Sequence, residues 1–160
     1  RAFAGIPSVL VDNYQGMRDA VCHLIEHHDY RRIAFLRGPE GAQEEELRFR
    51  AYRDALTDHG LPLRAELISG HTNWDRSDGP VVIADFLDAR GLRPKIDFDA
   101  IISVGDDMAC GALETLQARG VLVPEDVAVV GFNDDDEGRA ILPALTTVRQ
   151  PVEKMAPSNA

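Results

Sequence analysis

Six consecutive uncharged residues, Val127-Ala128-Val129-Val130-Gly131-Phe132, constrain this chain more than any other segment. A strand with one wet face alternates apolar and polar side chains. A strand covered on both faces reads as a continuous apolar run, and this one does. Val123-Pro124-Glu125-Asp126 supplies the turn into it, and Asn133-Asp134 closes it. Such a strand belongs inside a parallel sheet with helices above and below. Its polar exit lies where open α/β sheets present their ligands, beyond the carboxyl ends of the strands.

The rest of the chain alternates in step with that strand. Ser8 to Val11 is a short apolar run ending at Asp12-Asn13, Arg32 to Leu36 a second run closed by Gly38-Pro39, Leu67-Ile68 a brief third, and Asp99 to Val104 a fourth. Between them, apolar residues recur at helical spacing. Met17, Ala20, Val21, Leu24 and Ile25 mark a first helix. A second covers Glu44 to His59 and is stopped by Gly60-Leu61-Pro62. Val82, Ile83, Phe86 and Leu87 mark a third, and a fourth covers Met108 to Arg119. This order predicts right-handed βαβ units and an α/β fold: a three-layer α/β/α open parallel sheet with Val9–Val11, Ile33–Leu36, Ile101–Val104 and Val127–Val130 as central strands. The alternation stops after the acidic run Asp134-Asp135-Asp136-Glu137, so a boundary is expected near Pro143.

Composition narrows the function. The 160 residues carry a formal charge of −10, the wrong sign for gripping a phosphate backbone unaided. No apolar run is long enough for a bilayer, and no signal peptide is visible, which points to the cytoplasm. Cys22 and Cys110 each fall among apolar helix residues and read as reduced, packed thiols. His23 and His27 stand four apart on a surface flank of the first helix, which reads as solvated histidine and not as a metal site. There is no Gly-x-Gly-x-x-Gly fingerprint, phosphate loop or Gly-x-Ser-x-Gly elbow. No cofactor, metal or catalysis is therefore expected.

The rule that ligands lie beyond strand ends selects Asp12-Asn13, Gly38 to Arg48, Ser69 to Trp74, Gly105 to Asp107 and Asn133 to Asp136. These segments mix carboxylates, amides, an Arg and the sole Trp. Sugars and other polyols need that mixture: planar groups for paired hydroxyls and an aromatic face for the ring. Plainer roles compete. Asp12, Asn13, Asp106 and Asp107 precede helices and read first as N-caps. Glu44-Glu45-Glu46 complements a helix dipole, and Arg48 in a charge-rich helix start is by default solvated or ion-paired.

Several segments together resemble the effector-binding core of lac-repressor-type bacterial regulators, which share their fold with periplasmic sugar-binding proteins. Ser8 to Gly16 is similar to the strand-to-helix start of the family's second lobe, and Arg31 to Pro39 to its next strand and Gly-Pro turn. Leu47-Arg48-Phe49-Arg50-Ala51-Tyr52 is similar to the helix opening that carries an Arg. Asp106-Asp107-Met108-Ala109-Cys110-Gly111 is similar to its Asn-Asp-x-Met-Ala-x-Gly block. Val123 to Val127 and Leu145-Thr146-Thr147-Val148-Arg149-Gln150-Pro151 are the most specific pieces. The resemblance implies one lobe of a two-lobed periplasmic-binding-protein-like domain with the effector in the cleft between lobes. Residues 1–7 would lead in from the first lobe, 8–144 form the second, and 145–160 carry a crossover strand and tail toward the first. It implies Arg48 as the clamp on ligand hydroxyls or carboxylate, Trp74 as the stacking aromatic and Asn133 as a bidentate partner. Glu44, Asp106 and Gln150 complete the ligand-binding set. Asn133 stands where many members have Asp, Gly105 where many have Asn, and Glu44 where small residues are common. The implied partners are a small sugar-like effector, a second copy of the chain, and DNA through a helix-turn-helix outside this chain. No membrane partner is implied. Two rival readings are a periplasmic solute-binding protein and a non-binding module kept for dimerisation or signalling.

Overall fold

The computed structural model describes the backbone of residues 12–133 and 146–149 and the side chains of 12–132. The apolar run at Val9–Val11, the acidic run after Asn133, Gln150 and the tail lie outside the described residues.

Helix α1 (Asn13–His28) opens the described chain. Asp12 caps it, its Oδ1 accepting from the Gln15 N–H at 2.8 Å. Strand β1 (Ile33–Leu36) follows, then α2 (Gln43–Asp58), whose three glutamates fall in the first turn as dipole arguments require. Helix α3 (Asp78–Ala84) leads to β2 (Ala100–Ser103), and α4 (Asp106–Ala118) to β3 (Ala128–Asn133). Strand β4 (Thr146–Arg149) completes a sheet of order β1-β2-β3-β4, parallel throughout. Register runs Ile33↔Ala100, Ala100↔Ala128 and Val130↔Thr146. All residues of β1 and β2 are buried, as their unbroken apolar character demands. α1 packs on α2 and α3 on α4 as the flanking layers.

The core is dense with aromatic contacts. Phe35 lies 4.8 Å from Tyr52 and Phe86 lies 6.2 Å from Phe98, centroid to centroid. The buried Tyr52 hydroxyl donates to the Ile33 carbonyl at 2.7 Å, tying α2 to β1. α3 and α4 meet backbone to backbone. A Cβ on Gly111 would stand 2.0 Å from the Arg76 carbonyl oxygen, and one on Gly79 would stand 2.3 Å from the Ala112 nitrogen. Only glycine allows so close an approach.

Four expectations change. Leu67-Ile68 is not a strand of any length. Ala65–Leu67 is a 3₁₀ turn, and Ile68 makes one parallel bridge to Phe35, because too few residues follow the turn to extend the ladder. The third helix begins earlier, at Asp78, and its expected second half is a turn of π-helix, Asp85–Ala89, closed by the Arg90 N–H on the Asp85 carbonyl. Asn13 and Asp106 are not caps. Each is the first helical residue, Asp12 caps α1, and Gly105 precedes α4 without a side chain to offer. The segment after Pro143 was expected to cross toward another lobe, yet Thr146 to Arg149 pairs with β3 along its whole length. Its β-branched residues suit a ladder, and β3 otherwise offers a free edge.

Candidate functional site

The start of α1, the exit of β2 and the end of β3 meet around Arg48. This residue lies on α2 and is 6% exposed, not the solvated arginine its charged neighbourhood suggests. Its Nε and Nη2 both donate to Asn13 Oδ1, at 3.0 and 2.7 Å, and Nη1 donates to the Val104 carbonyl at 2.5 Å. Its guanidinium carbon sits 4.0 Å over the centroid of Phe132. One cation thus joins the start of α1, the exit of β2 and the end of β3. Burial lowers its pKa to about 10, with the Glu44 carboxylate pulling the other way. It stays protonated at neutral pH. No carboxylate among the described residues is in ion-pair contact with it, and three of its five N–H donors are engaged there. A desolvated cation with donors to spare suits a ligand rich in oxygen.

Trp74 stands close by. It sits half-buried against the core, in a loop with left-handed backbone at φ 51°. A Cβ on Gly38 would lie 2.7 Å from its ring, 3.1 Å from Val104 and 3.3 Å from Glu45, so the ring rests on glycine beside the residue whose carbonyl holds Arg48. The loop is tied down through Thr72. Its N–H donates to the Gly38 carbonyl at 3.2 Å, and its hydroxyl donates to the Arg37 carbonyl at 2.8 Å and accepts from the Trp74 N–H at 3.0 Å. His71 Nδ1 lies 2.9 Å from the same Gly38 carbonyl.

Of the other expected residues, Glu44 is exposed in the first turn of α2, and Asp106 is fully buried at the start of α4, directly beyond Gly105. Asn133 ends β3, in register with Arg149, and its side chain lies outside the described residues, as does Gln150. Arg48 is held by the Val104 carbonyl, and a Cβ on Gly38 would meet both the Val104 side chain and the Trp74 ring.

Three contributors carried little signal. Asn13 read as a cap, although two adjacent Asx residues before one helix already hinted that one was free for other work. Phe132 read as core, and only the fold puts its ring under Arg48. Glu45 is a fully buried carboxylate held by Arg37 at 2.5 and 2.8 Å, and Arg37 itself lies 3.8 Å over the Phe49 ring. Within the triplet Glu44-Glu45-Glu46, helical phase alone marks Glu45 as the inward one.

A parallel sheet with a polar cluster at its carboxyl edge is shared by many folds, and comparison with known proteins separates them. A profile described as a periplasmic binding protein-like domain matches residues 21–158. The chain belongs to this family. The domain is similar to the HTH-type transcriptional regulator AscG of Escherichia coli strain K12, 37% identical over 148 residues, 92% of this chain and 42% of AscG. It is similar in structure to a sugar-binding transcriptional regulator of the LacI family from Escherichia coli, complexed with phosphate. That match has a TM-score of 0.85 at 36% identity and covers 97% of this chain and 54% of the other. A LacI-family regulator from Lactobacillus casei with bound glucose gives a TM-score of 0.82 at 30% identity, over 97% of this chain and 56% of that one. This periplasmic-binding-protein-like domain spans less than half the length of the curated relatives it matches. The lac-repressor-type resemblance read from its sequence motifs is thus found again by two independent comparisons. No helix among the described residues is long and apolar enough to cross a membrane.

Proposed function

We propose that this domain is one wall of the effector cleft of a bacterial transcriptional regulator, and that it senses a sugar or sugar-like metabolite without transforming it. The observation that carries the reading is the buried Arg48, protonated and with two of its five donors unengaged among the described residues, together with a Trp74 ring braced on Gly38. Arg48 would hold vicinal hydroxyls or an acidic group, and Trp74 would cover the apolar face of a ring. Asn133, Asp106, Glu44 and Gln150 would complete the contacts. Residues 8–144 would form most of this lobe, with Thr146 to Arg149 as its edge strand, and the route toward a second lobe would follow that strand. The ligand would favour a closed arrangement of two lobes, and closure would bias a helix-turn-helix elsewhere in the polypeptide. Such a protein works in the cytoplasm. AscG among the relatives and LacI-family regulators among the structural neighbours favour regulation over transport.

The regulator would act as a pair of copies joined on α3 and α4. Val81 is 67% exposed there, next to a groove lined by Arg76, Pro80, Gly111, Glu114 and Thr115. Val81→Asp should then turn a sedimenting dimer into monomer.

The direct test is calorimetric titration of the intact protein with mono- and disaccharides and with inorganic phosphate. Saturable binding of a sugar supports the reading. A folded protein that binds none of them would favour the module whose cleft no longer binds.

A further inference from the structure

On the outer helical layer, a second set of side chains converges that the effector site does not use. Cys22 and Glu26 stand four apart on α1 and share one face. The packing of α1 on α2 brings His59, the residue that ends α2, against them. One ligating atom from each of the three lies within 4.8 Å of the others. Around a tetrahedral zinc ion, bond lengths of about 2.3 Å to sulfur and about 2.0–2.2 Å to nitrogen and oxygen put ligand atoms roughly 3.4–3.6 Å apart, so side-chain rotation must open the hydrogen-bonded His59–Glu26 pair slightly and draw the thiol to it.

We propose that Cys22, Glu26 and His59 bind a zinc-like divalent cation that clamps α1 to the end of α2. The strongest support is the orientation of His59. Its Nδ1 lies 2.7 Å from the Ala55 carbonyl, which accepts only from an N–H. Nε2 is thereby the nitrogen that faces the cluster; 2.8 Å from Glu26 Oε2 it donates to the carboxylate, and a cation would take the place of that proton. Metal-bound imidazoles are oriented in just this way, one nitrogen on a carbonyl and the other on the ion. Thiolate, imidazole and carboxylate form a donor set that zinc accepts, and the exposure of Glu26 leaves room for water as a fourth ligand. The surrounding charge favours a cation. Asp19 and Asp58 lie near the Cys22 thiol, and Arg18, the cation acting on it among the described residues, is engaged by Asp58 at 2.5 Å. Zinc takes the thiolate form of cysteine, so the metal displaces a proton when it binds.

A neighbouring set provides the control. His23 and His28 stand at the end of α1 with their Nε2 atoms 3.3 Å apart, and the His27 ring lies 4.7 Å from that of His23. Imidazoles alone bind metal without a thiolate signature, so spectroscopy separates the two clusters.

The experiment titrates zinc into the purified chain, kept reduced with a phosphine, against a chromogenic chelator, and repeats the titration with cobalt. One zinc per chain is expected, with a thiolate-to-cobalt charge-transfer band. Cys22→Ser should abolish that band and weaken zinc at least about tenfold, as loss of one of three protein ligands requires. Glu26→Gln, a change at an exposed position that spares the fold, should also weaken zinc. The double variant His23→Gln/His28→Gln should leave affinity and band unchanged. Zinc should raise the melting temperature of the wild type and not of Cys22→Ser. Absence of the band in wild type overturns the proposal. So does zinc binding that survives both Cys22→Ser and Glu26→Gln, or that disappears with the histidine pair.

Discussion

Replacing Arg48 by methionine separates the proposed role of ligand clamp from that of structural tie, because the costs and gains to the fold nearly cancel. The fold of the wild type holds a desolvated guanidinium whose pKa falls to about 10. At about 1.36 kcal/mol for each tenfold change in proton affinity, that depression is worth roughly 3 kcal/mol of destabilisation, which methionine removes. Against this stand the lost hydrogen bonds. The Val104 carbonyl loses a buried donor, at about 1–3 kcal/mol. Asn13 loses two donors but is half-buried and can turn to water. Loss of the cation over Phe132 costs about 0.5–2 kcal/mol. Methionine refills most of the volume. The sum lies within about 2 kcal/mol of zero, and at about 2–4 °C per kcal/mol for a chain of this size the melting temperature should move by less than roughly 8 °C. Ligand affinity has no such compensation. One or more charge-assisted hydrogen bonds disappear, at about 1.5–3 kcal/mol, or roughly 10- to 150-fold in Kd. Differential scanning calorimetry and isothermal titration on the same preparations give both numbers. Unchanged affinity would remove Arg48 from the site. A melting temperature lowered by about 15 °C or more would make Arg48 chiefly a structural tie.

Gly111→Ala should lower the melting temperature by about 2–8 °C: the roughly 1 kcal/mol gained in helix propensity is outweighed by overpacking against backbone that cannot step aside, and a rise would refute the contact with Arg76. Gly38→Ala should displace the Trp74 ring, and since Trp74 is the sole tryptophan, its fluorescence should shift while ligand affinity falls; an unchanged spectrum would refute the seating of the ring on Gly38. Tyr52→Phe should cost about 1–2 kcal/mol in urea unfolding by leaving the Ile33 carbonyl without its buried donor, and a neutral result would place water there instead.

The strands at Ile33–Leu36, Ala100–Ser103 and Ala128–Asn133 were legible because burial on both faces leaves an unbroken apolar signature. The π-turn at Asp85–Ala89 was not: Phe86 and Leu87 keep helical spacing, and nothing local distinguishes a bond to the fifth residue from one to the fourth. For the site, position after a strand end was enough to select Arg48 and Trp74. It could not reveal that Arg48 is buried, because its partners Asn13 and Val104 lie 35 and 56 residues away in sequence. The Cys22–His59 proximity was hidden for the same reason. Adjacent motifs can be read along a chain, but helix packing that joins distant ones cannot.

The bonds that run from Thr72 to Arg37 and Gly38, and from Arg48 to Asn13 and Val104, fasten the loop after β1, the exit of β2 and the start of α1. A wall built this way would meet the proposed ligand already ordered. Little conformational entropy is left to lose there, so selectivity among similar sugars should register mainly as enthalpy on this side of the cleft. The entropic cost of recognition then falls on whatever surface closes over it.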